Sequence, residues 1–309
     1  MGRARSIGSS DEAPLRIEWL RSFLAVADEG GFTRAARVIA LSQPTVSTHV
    51  SDLEKALGVA LFERVGPAIR LTRSGEAVAG QARRVLQELR DLRAAAHDSE
   101  AGVQGPVAIG ASTTPGNYVL PRLLGEFERA NPRARAVLTI GNTGKILDLL
   151  RANAVDLAVV GIEPDPGEFV TRAFVRDEIV VFAAKGHALA GKKKVSLAAL
   201  AKERFLLREP DSATRRIFEA WRGRHGIHPP VMELGSPETV KRSVAAGLGV
   251  GILSRFALEG ELKLGEVAVL DVPSFPIRRW LYLVHHRQKH LSRTLRTLLQ
   301  LLETARDAS

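Results

Sequence analysis

The side chains best suited to grip a nucleic acid lie between Phe32 and Arg73. Gln43, Pro44, Thr45, Ser47, Thr48 and His49 occupy the polar face of a helical pattern. Their short donors, acceptors and methyl groups can read base edges in a major groove. The opposite face is an apolar stripe of Val46, Val50, Leu53 and Leu57 at spacings of four, three and four, the period of a helix packed on one side. Ser42 is a suitable N-cap, and Pro44 suits the first turn, where its missing N–H is not needed. Just upstream, Arg34 precedes Ala35, Ala36, Val38 and Ile39, a small, close-packing face for another helix. Downstream, Arg64 and Arg70 flank the turn Val65-Gly66-Pro67-Ala68. A wing of that kind would set both guanidiniums on phosphates, which position a protein without reading sequence. An ordinary amphipathic helix fits 43–57 taken alone; the basic hairpin behind it favours DNA.

A second set of polar residues follows apolar strand patterns and precedes helical ones: Ser112, Thr113 and Thr114, then Asn142 and Thr143, then Ser212 and Thr214 within the loop 208–215. Ligands of open parallel sheets bind beyond the carboxyl ends of the strands, and helix N-termini with nearby hydroxyls suit a carboxylate or phosphate. The same residue types cap helices and turns, which accounts for any one of these loops taken alone; the three together leave both readings open until a family resemblance is added. Other motifs fall short. Gly141 to Lys145 lacks the first glycine of a phosphate loop, since Thr139 stands there and Ile146 follows the lysine. Gly247 to Gly251 precedes a strand, where a dinucleotide loop must follow one. His225, His228, His285, His286 and His290 have no matched carboxylate or cysteine for a metal. There is no Gly-x-Ser-x-Gly elbow, and no nucleophile, base and orienting group can be paired. Neither catalytic residues nor a cofactor are expected.

Composition narrows the class. The 309 residues suit two or three domains, and no apolar run reaches the roughly 18–20 residues of a membrane span. The absence of cysteine removes disulfides and thiol-based redox sensing. Residues 1–14 lack the apolar centre of a signal peptide and are expected to form a disordered tail, with a cytoplasmic location by default. The net charge is +10, but residues 1–100 hold 14 Lys and Arg against 13 Asp and Glu, and residues 101–309 hold 30 against 21. DNA binding would therefore rest on a few placed arginines. The excess further on is a solvated surface or favours an anionic small ligand.

The elements that must position these residues divide the chain. From Thr72, Val78, Ala82, Val85, Leu89, Leu92 and Ala96 repeat as a heptad seam with charged flanks, which predicts a long helix paired with a second copy. The stretch 101–106 breaks it. Strands over 107–110, 136–140 and 157–160 then alternate with helices over 119–129 and 146–152, a parallel sheet with right-handed crossovers. A second block places strands over 178–183, 205–207, 249–253, 267–272 and 280–285 among helices over 196–201, 214–223 and 237–246. A helix over 291–304 ends the chain.

Residues 16–98 resemble the winged helix-turn-helix and linker helix of LysR-type transcriptional regulators: Phe32-Thr33-Arg34-Ala35-Ala36, Ser42-Gln43-Pro44-Thr45, Leu53-Glu54, Leu57-Gly58, Leu61-Phe62-Glu63-Arg64 and Arg70-Leu71-Thr72 occur in the family's order. The chain departs from the family in its recognition helix, where Thr48, His49, Ser51 and Asp52 stand in place of arginines. The resemblance implies an α/β protein with an N-terminal winged helix-turn-helix over 15–73, a linker (dimerisation) helix over 74–102 and an effector-binding domain over 103–309. That domain would resemble a type 2 periplasmic binding protein, with subdomain I at about 106–169 and 277–309 and subdomain II at about 170–276. It further implies sequence-specific binding of double-stranded DNA as a dimer or homotetramer, a small-molecule effector between the subdomains that biases the angle between them, and RNA polymerase as a further partner. The loops 110–114 and 141–143 resemble those of members controlling carbon-fixation and sulfur-related genes, which often answer to anionic metabolites. Asp211 and Ala213 replace glycines of the related Gly-Ser-Gly-Thr pattern. A cytoplasmic solute-binding protein without a DNA role and an enzyme of the cleft domain are the alternatives.

Overall fold

A computed structural model describes residues 14–66, 68–97 and 102–307; the expected N-terminal tail and Pro67 lie outside these. The chain divides into two compact units, Met1–Ala96 and His97–Ser309.

In the first unit, helices α1 (Ile17–Glu29), α2 (Phe32–Val38) and α3 (Gln43–Leu57) precede a hairpin of β1 (Phe62–Val65) and β2 (Ala68–Leu71), then the long helix α4 (Arg73–His97). The apolar stripe of α3 does what its period predicts: Val46, Val50 and Leu53 are buried against Leu20, Phe23, Val26, Ala35 and Ala36. Ser42 caps α3 by accepting from the Thr45 N–H at 3.2 Å. The wing is tied to α3 by Glu54, whose carboxylate accepts from the backbone N–H groups of Leu61 (2.7 Å) and Phe62 (3.3 Å). Phe62 stacks at tilted angles on Phe23 and Phe32. Helix α4 starts hard against this core, since a Cβ on Gly75 would stand 2.1 Å from the Leu61 carbonyl oxygen.

That contact corrects the heptad reading. Ala82 is buried, Val78 is half-buried, and both join the unit's own core with Ala79 and Leu86. The first turns of α4 spend their apolar stripe on the wing and α1. Val85 and Leu92 remain exposed, at 49% and 65%, with Leu89 intermediate. The Ala96 side chain lies outside the described residues. A seam for a partner is therefore shorter than the spacing suggests.

The second unit contains β3 (Gly105–Ser112), a π-helical turn (Pro115–Val119), α5 (Leu120–Ala130), β4 (Ala134–Gly141), α6 (Thr143–Arg151) and β5 (Leu157–Val160). Next come β6 (Phe169–Ala184), α7 (Leu197–Leu200), β7 (Phe205–Leu207), α8 (Ala213–His225), β8 (Val231–Glu233) and α9 (Pro237–Ala245). The chain finishes with β9 (Val250–Ser254), a 3-10 turn (Arg255–Leu258), α10 (Glu259–Leu264), β10 (Val267–Val269), β11 (Ile277–His286) and α11 (Arg293–Asp307). The expected alternation is present, with β3 parallel to β4 and β5, and β7 parallel to β8 and β9. All nine strands form one sheet in the order β4-β3-β5-β11-β6-β9-β7-β8, with β10 on β6. Strand β6 runs for 16 residues and pairs antiparallel with β11 from His286↔Phe169 to Ile277↔Ile179. These two strands, starting at Phe169 and Ile277, run through the middle of the sheet. On either side of them sit separate cores, one around Phe127, Phe174 and Leu298 with α5 and α11, another around Phe205, Phe218 and Trp221.

The crossing strands are locked by a buried ion pair. Asp177 and Arg279 face each other in register with side chains 0% and 9% exposed and a separation of 2.8 Å. The second Asp177 oxygen accepts from Ser254 Oγ at 2.6 Å, and Arg279 Nη1 donates to the Gly161 carbonyl at 3.4 Å. A Cβ on Gly161 would sit 2.9 Å from the guanidinium, so a larger residue there would have to push Arg279 out of its place. Among the described residues no helix is long and apolar enough to cross a membrane.

Two outcomes follow. Asp177→Ala leaves a buried guanidinium unpaired, and chemical denaturation will show a loss of about 3–5 kcal/mol. Burial, with Arg172 nearby, holds the His285 ring of β11 below its ordinary value of 6.5. The unfolded chain therefore takes up a proton that the folded chain resists, so stability from this group is complete above 6.5 and declines as pH falls below it. His285→Gln will remove that part of the decline from a series of denaturation midpoints.

Candidate nucleic-acid interface and effector cleft

On α3, Gln43, Pro44 and Thr48 are exposed, and Thr45 and Ser47 partly so. Two of the expected base-reading groups are engaged within the unit. The Thr45 and Ser42 hydroxyls are 2.7 Å apart, and His49 Nδ1 is 2.8 Å from the Oγ of buried Ser22 on α1. His49 thus braces α3 against α1 through one ring nitrogen. Arg34 donates from Nε to the Glu29 carbonyl at 2.7 Å, closing the end of α1. Asp52 pairs with Lys55 at 3.5 Å.

The strand register sets the directions of the two wing arginines, one on each arm of the hairpin. Arg70 lies opposite Glu63, and Arg64 opposite Ile69. Side chains alternate between faces along a strand, so Arg64 shares the face of Phe62, Ile69 and Leu71, while Arg70 points to the other with Glu63. Both arginines are exposed, and they leave opposite faces of the ribbon.

The three loops of the second unit do converge. The register sets Ser112 beside Gly141 and Ala111 beside Val159, so the chain leaves β3, β4 and β5 at one edge of the sheet. Thr113 Oγ1 donates to the Gly141 carbonyl at 3.5 Å, joining the first loop to the second. The third loop reaches the first through Arg208 Nη2, 3.4 Å from Thr113 Oγ1. Asn142 caps α6 by accepting from the Lys145 N–H at 2.8 Å. Ser212 caps α8 by accepting from the Arg215 N–H at 3.1 Å. These two side chains organise the loops through helix ends. Ser112, Thr143, Ser212 and Thr214 are all buried, and Thr114 half-buried. Among the described residues the Thr143 hydroxyl has no hydrogen-bond partner. A buried hydroxyl left unpaired costs about 1–3 kcal/mol, so its presence beside a loop of this kind calls for a partner.

Arg208 is a residue that the sequence reading passed over. It follows the fully buried strand β7 and is itself buried, its side chain 8% exposed. A charged group at the end of such a strand demands a counter-charge, and that was the available sign. Glu209 supplies it, accepting from Arg208 Nε and Nη2 at 2.7 Å each.

Beyond the first loop, Tyr118 of the π-helical turn packs against the core around Val240 and Leu258. Lys241 Nζ of α9 lies 5.7 Å over the Tyr118 ring and pairs with Glu261 at 2.6 Å and Glu238 at 3.1 Å. Burial raises the Tyr118 hydroxyl. Burial works against the Lys241 charge, but hydrogen bonds to Glu261 and Glu238 hold its ammonium above the usual range. In return, Phe256 of the 3-10 turn packs against the core around Phe127 and Phe174. A shallow groove on α9, lined by residues including Ser236, Arg242 and Leu248, contains none of the three loops.

Two family models match the chain: "Bacterial regulatory helix-turn-helix protein, lysR family" over residues 17–76, and "LysR substrate binding domain" over residues 100–307. The HTH-type transcriptional activator CmpR of Synechocystis sp. is 37% identical, covering 91% of this chain and 92% of its own. A RuBisCO operon transcriptional regulator of Allochromatium vinosum is 38% identical over 89% and 91%. Among solved structures, the regulatory domain of Synechocystis CcmR in complex with 2-PG is 34% identical, covers 66% of this chain and 98% of its own, and superposes with a TM-score of 0.63. These relatives are regulators rather than enzymes. With a helix-turn-helix unit ahead of a two-lobed α/β unit, the chain belongs to the LysR family of DNA-binding transcriptional regulators.

Proposed function

We propose that this regulator senses a small anionic metabolite where its three loops meet, and that this binding alters its hold on duplex DNA. The observation that carries the reading is the buried Arg208 joined to Thr113, which in turn meets the loop whose Thr143 carries a buried hydroxyl with no partner among the described residues. A buried guanidinium and a spare hydroxyl are the donors that a phosphate or carboxylate needs. The CcmR regulatory domain, a relative at 34% identity, was solved with 2-PG, a small anion. Ser112, Thr113, Thr114, Asn142, Thr143, Ser212 and Thr214 frame the site, the last four partly through their helix ends. The domains would divide at 15–73, 74–102 and 103–309.

DNA recognition is assigned to the outer face of α3, with Gln43, Pro44, Ser47 and Thr48 toward bases and Thr45 at the helix start. Arg64 and Arg70 take phosphates from the two faces of the wing. Arg34 and His49 support this surface from behind. The exposed Val85, Leu89 and Leu92 of α4 would pair two copies, and a dimer presents two recognition helices to two half-sites. Two dimers would make the tetramer. The setting is the cytoplasm, where the DNA is.

Two measurements test the proposal. In anisotropy titrations against DNA from upstream of the chain's own gene, Arg64→Ala and Arg70→Ala will each weaken binding and lower the salt slope by about 1; unchanged slopes would remove the wing from the interface. Thr143→Val is expected to leave the unliganded protein as stable or up to about 1 kcal/mol more so, yet to weaken binding of 2-phosphoglycolate in calorimetry by about fivefold or more. A destabilised variant with unaltered affinity would make Thr143 a structural residue only.

A further inference from the structure

Arg208 and Arg279 are both buried and both paired with a carboxylate, but the two pairs are built differently. Asp177 is inaccessible, is held in a strand ladder, and has its second oxygen satisfied by Ser254. It is a permanent counter-ion. Glu209 adjoins Arg208 in the chain, lies outside any strand or helix, and has a side chain 28% exposed. Among the described residues its carboxylate hydrogen-bonds to Arg208 alone, across the Nε and Nη2 edge. The same Nη2 is the atom that reaches Thr113.

Resting on the reading of the loops as an anion site, we infer that Glu209 is a resident anion that fills the site in the unliganded protein and that an effector must displace. A guanidinium fork accepts one planar oxyanion at a time on a given edge. While Glu209 holds that edge, the site is already neutral. An incoming monocarboxylate exchanges like for like and gains no charge–charge attraction over what it removes. A phosphate monoester brings more charge and three oxygens, so it engages the fork and the Thr113 hydroxyl together. Glu209 therefore sets specificity by raising the threshold for entry, and it makes phosphorylated metabolites the class of ligand the site selects. Displacement also lowers apparent affinity by the fraction of molecules in which the edge is open. Once released, the Glu209 carboxylate turns to solvent, which its exposure allows without loss of packing.

The test is calorimetry on the full chain with inorganic phosphate, 2-phosphoglycolate and acetate as probes. Glu209→Gln, which keeps the shape and removes the charge, is expected to bind phosphate about tenfold more tightly than the parent and to acquire measurable acetate binding. Glu209→Ala should do the same, and guards against an amide that repels the guanidinium. Adding Arg208→Ala to either variant should abolish the gain. If the parent binds phosphate or 2-phosphoglycolate and both Glu209 variants bind it equally or more weakly, Glu209 is a supporting residue and the inference falls while the anion site stands. If no protein in the series binds any of the three probes, the anion site falls and takes this inference with it. Denaturation midpoints of each variant separate lost binding from lost folding.

Discussion

The antiparallel pairing of β6 with β11 is the constraint on which the second unit depends. Each strand belongs to both halves of the sheet, so neither half can be completed without the other. The pairing brings Asp177 opposite Arg279, and the charge of that arginine is stabilised in the interior only because the carboxylate and the Gly161 carbonyl face it. The loop after β5 is thereby fixed to the crossing strands. The loops after β3 and β4 are fixed to it in turn by the parallel register. The third loop then needs only one contact, from Arg208 to Thr113, to complete the convergence. Placement of the candidate effector residues thus follows from strand register more than from any property of the loops themselves.

The first unit depends on a different economy. It is small, and the start of α4 serves as part of its core. Gly75 permits the approach, Ala79 and Ala82 fill the space, and Glu54 ties the wing to the recognition helix. Polar residues near the recognition surface do double duty. Thr45 completes a helix cap, His49 bonds to α1, and Arg34 closes a helix end. The outer face of α3 is correspondingly compact; it contains no arginine, and the side chains exposed toward its start, Gln43, Pro44 and Thr48, are short and uncharged.

Local physics was readable from residue order. The stripe of α3, the Ser42 cap and the wing turn follow from periodicity and capping, and the loop hydroxyls from their position after apolar strands. What stayed hidden is set by distant parts of the chain. The sequence pattern predicts β6 only over 178–183 because Thr171, Arg172, Arg176 and Asp177 interrupt its apolar run; the charged ones are tolerated because Glu303 of α11 pairs with Arg172, the Trp280 ring of β11 lies under Arg176, and Arg279 and Ser254 hold Asp177. The short strand β8 has three exposed residues and no alternation to betray it. The division of α4 between its own core and an exposed remainder is invisible in a heptad pattern, which records where apolar residues fall and not what covers them. Arg64 and Arg70 look equivalent on either side of a turn until the pairing is known.

The exchange of Tyr118 and Phe256 has a consequence for how the two halves can move. Each lobe lends an aromatic ring to the other's interior, and the Lys241 cluster is seated over one of them. A wide clamshell swing would pull both rings into water together and take the Tyr118 ring away from the Lys241 ammonium, whose carboxylates Glu238 and Glu261 would stay with it. A slide of a fraction of a side chain's width would leave them seated. The two rings therefore resist a wide opening and tolerate a small lateral displacement of the lobes, and one of them, Tyr118, lies four residues beyond Thr114.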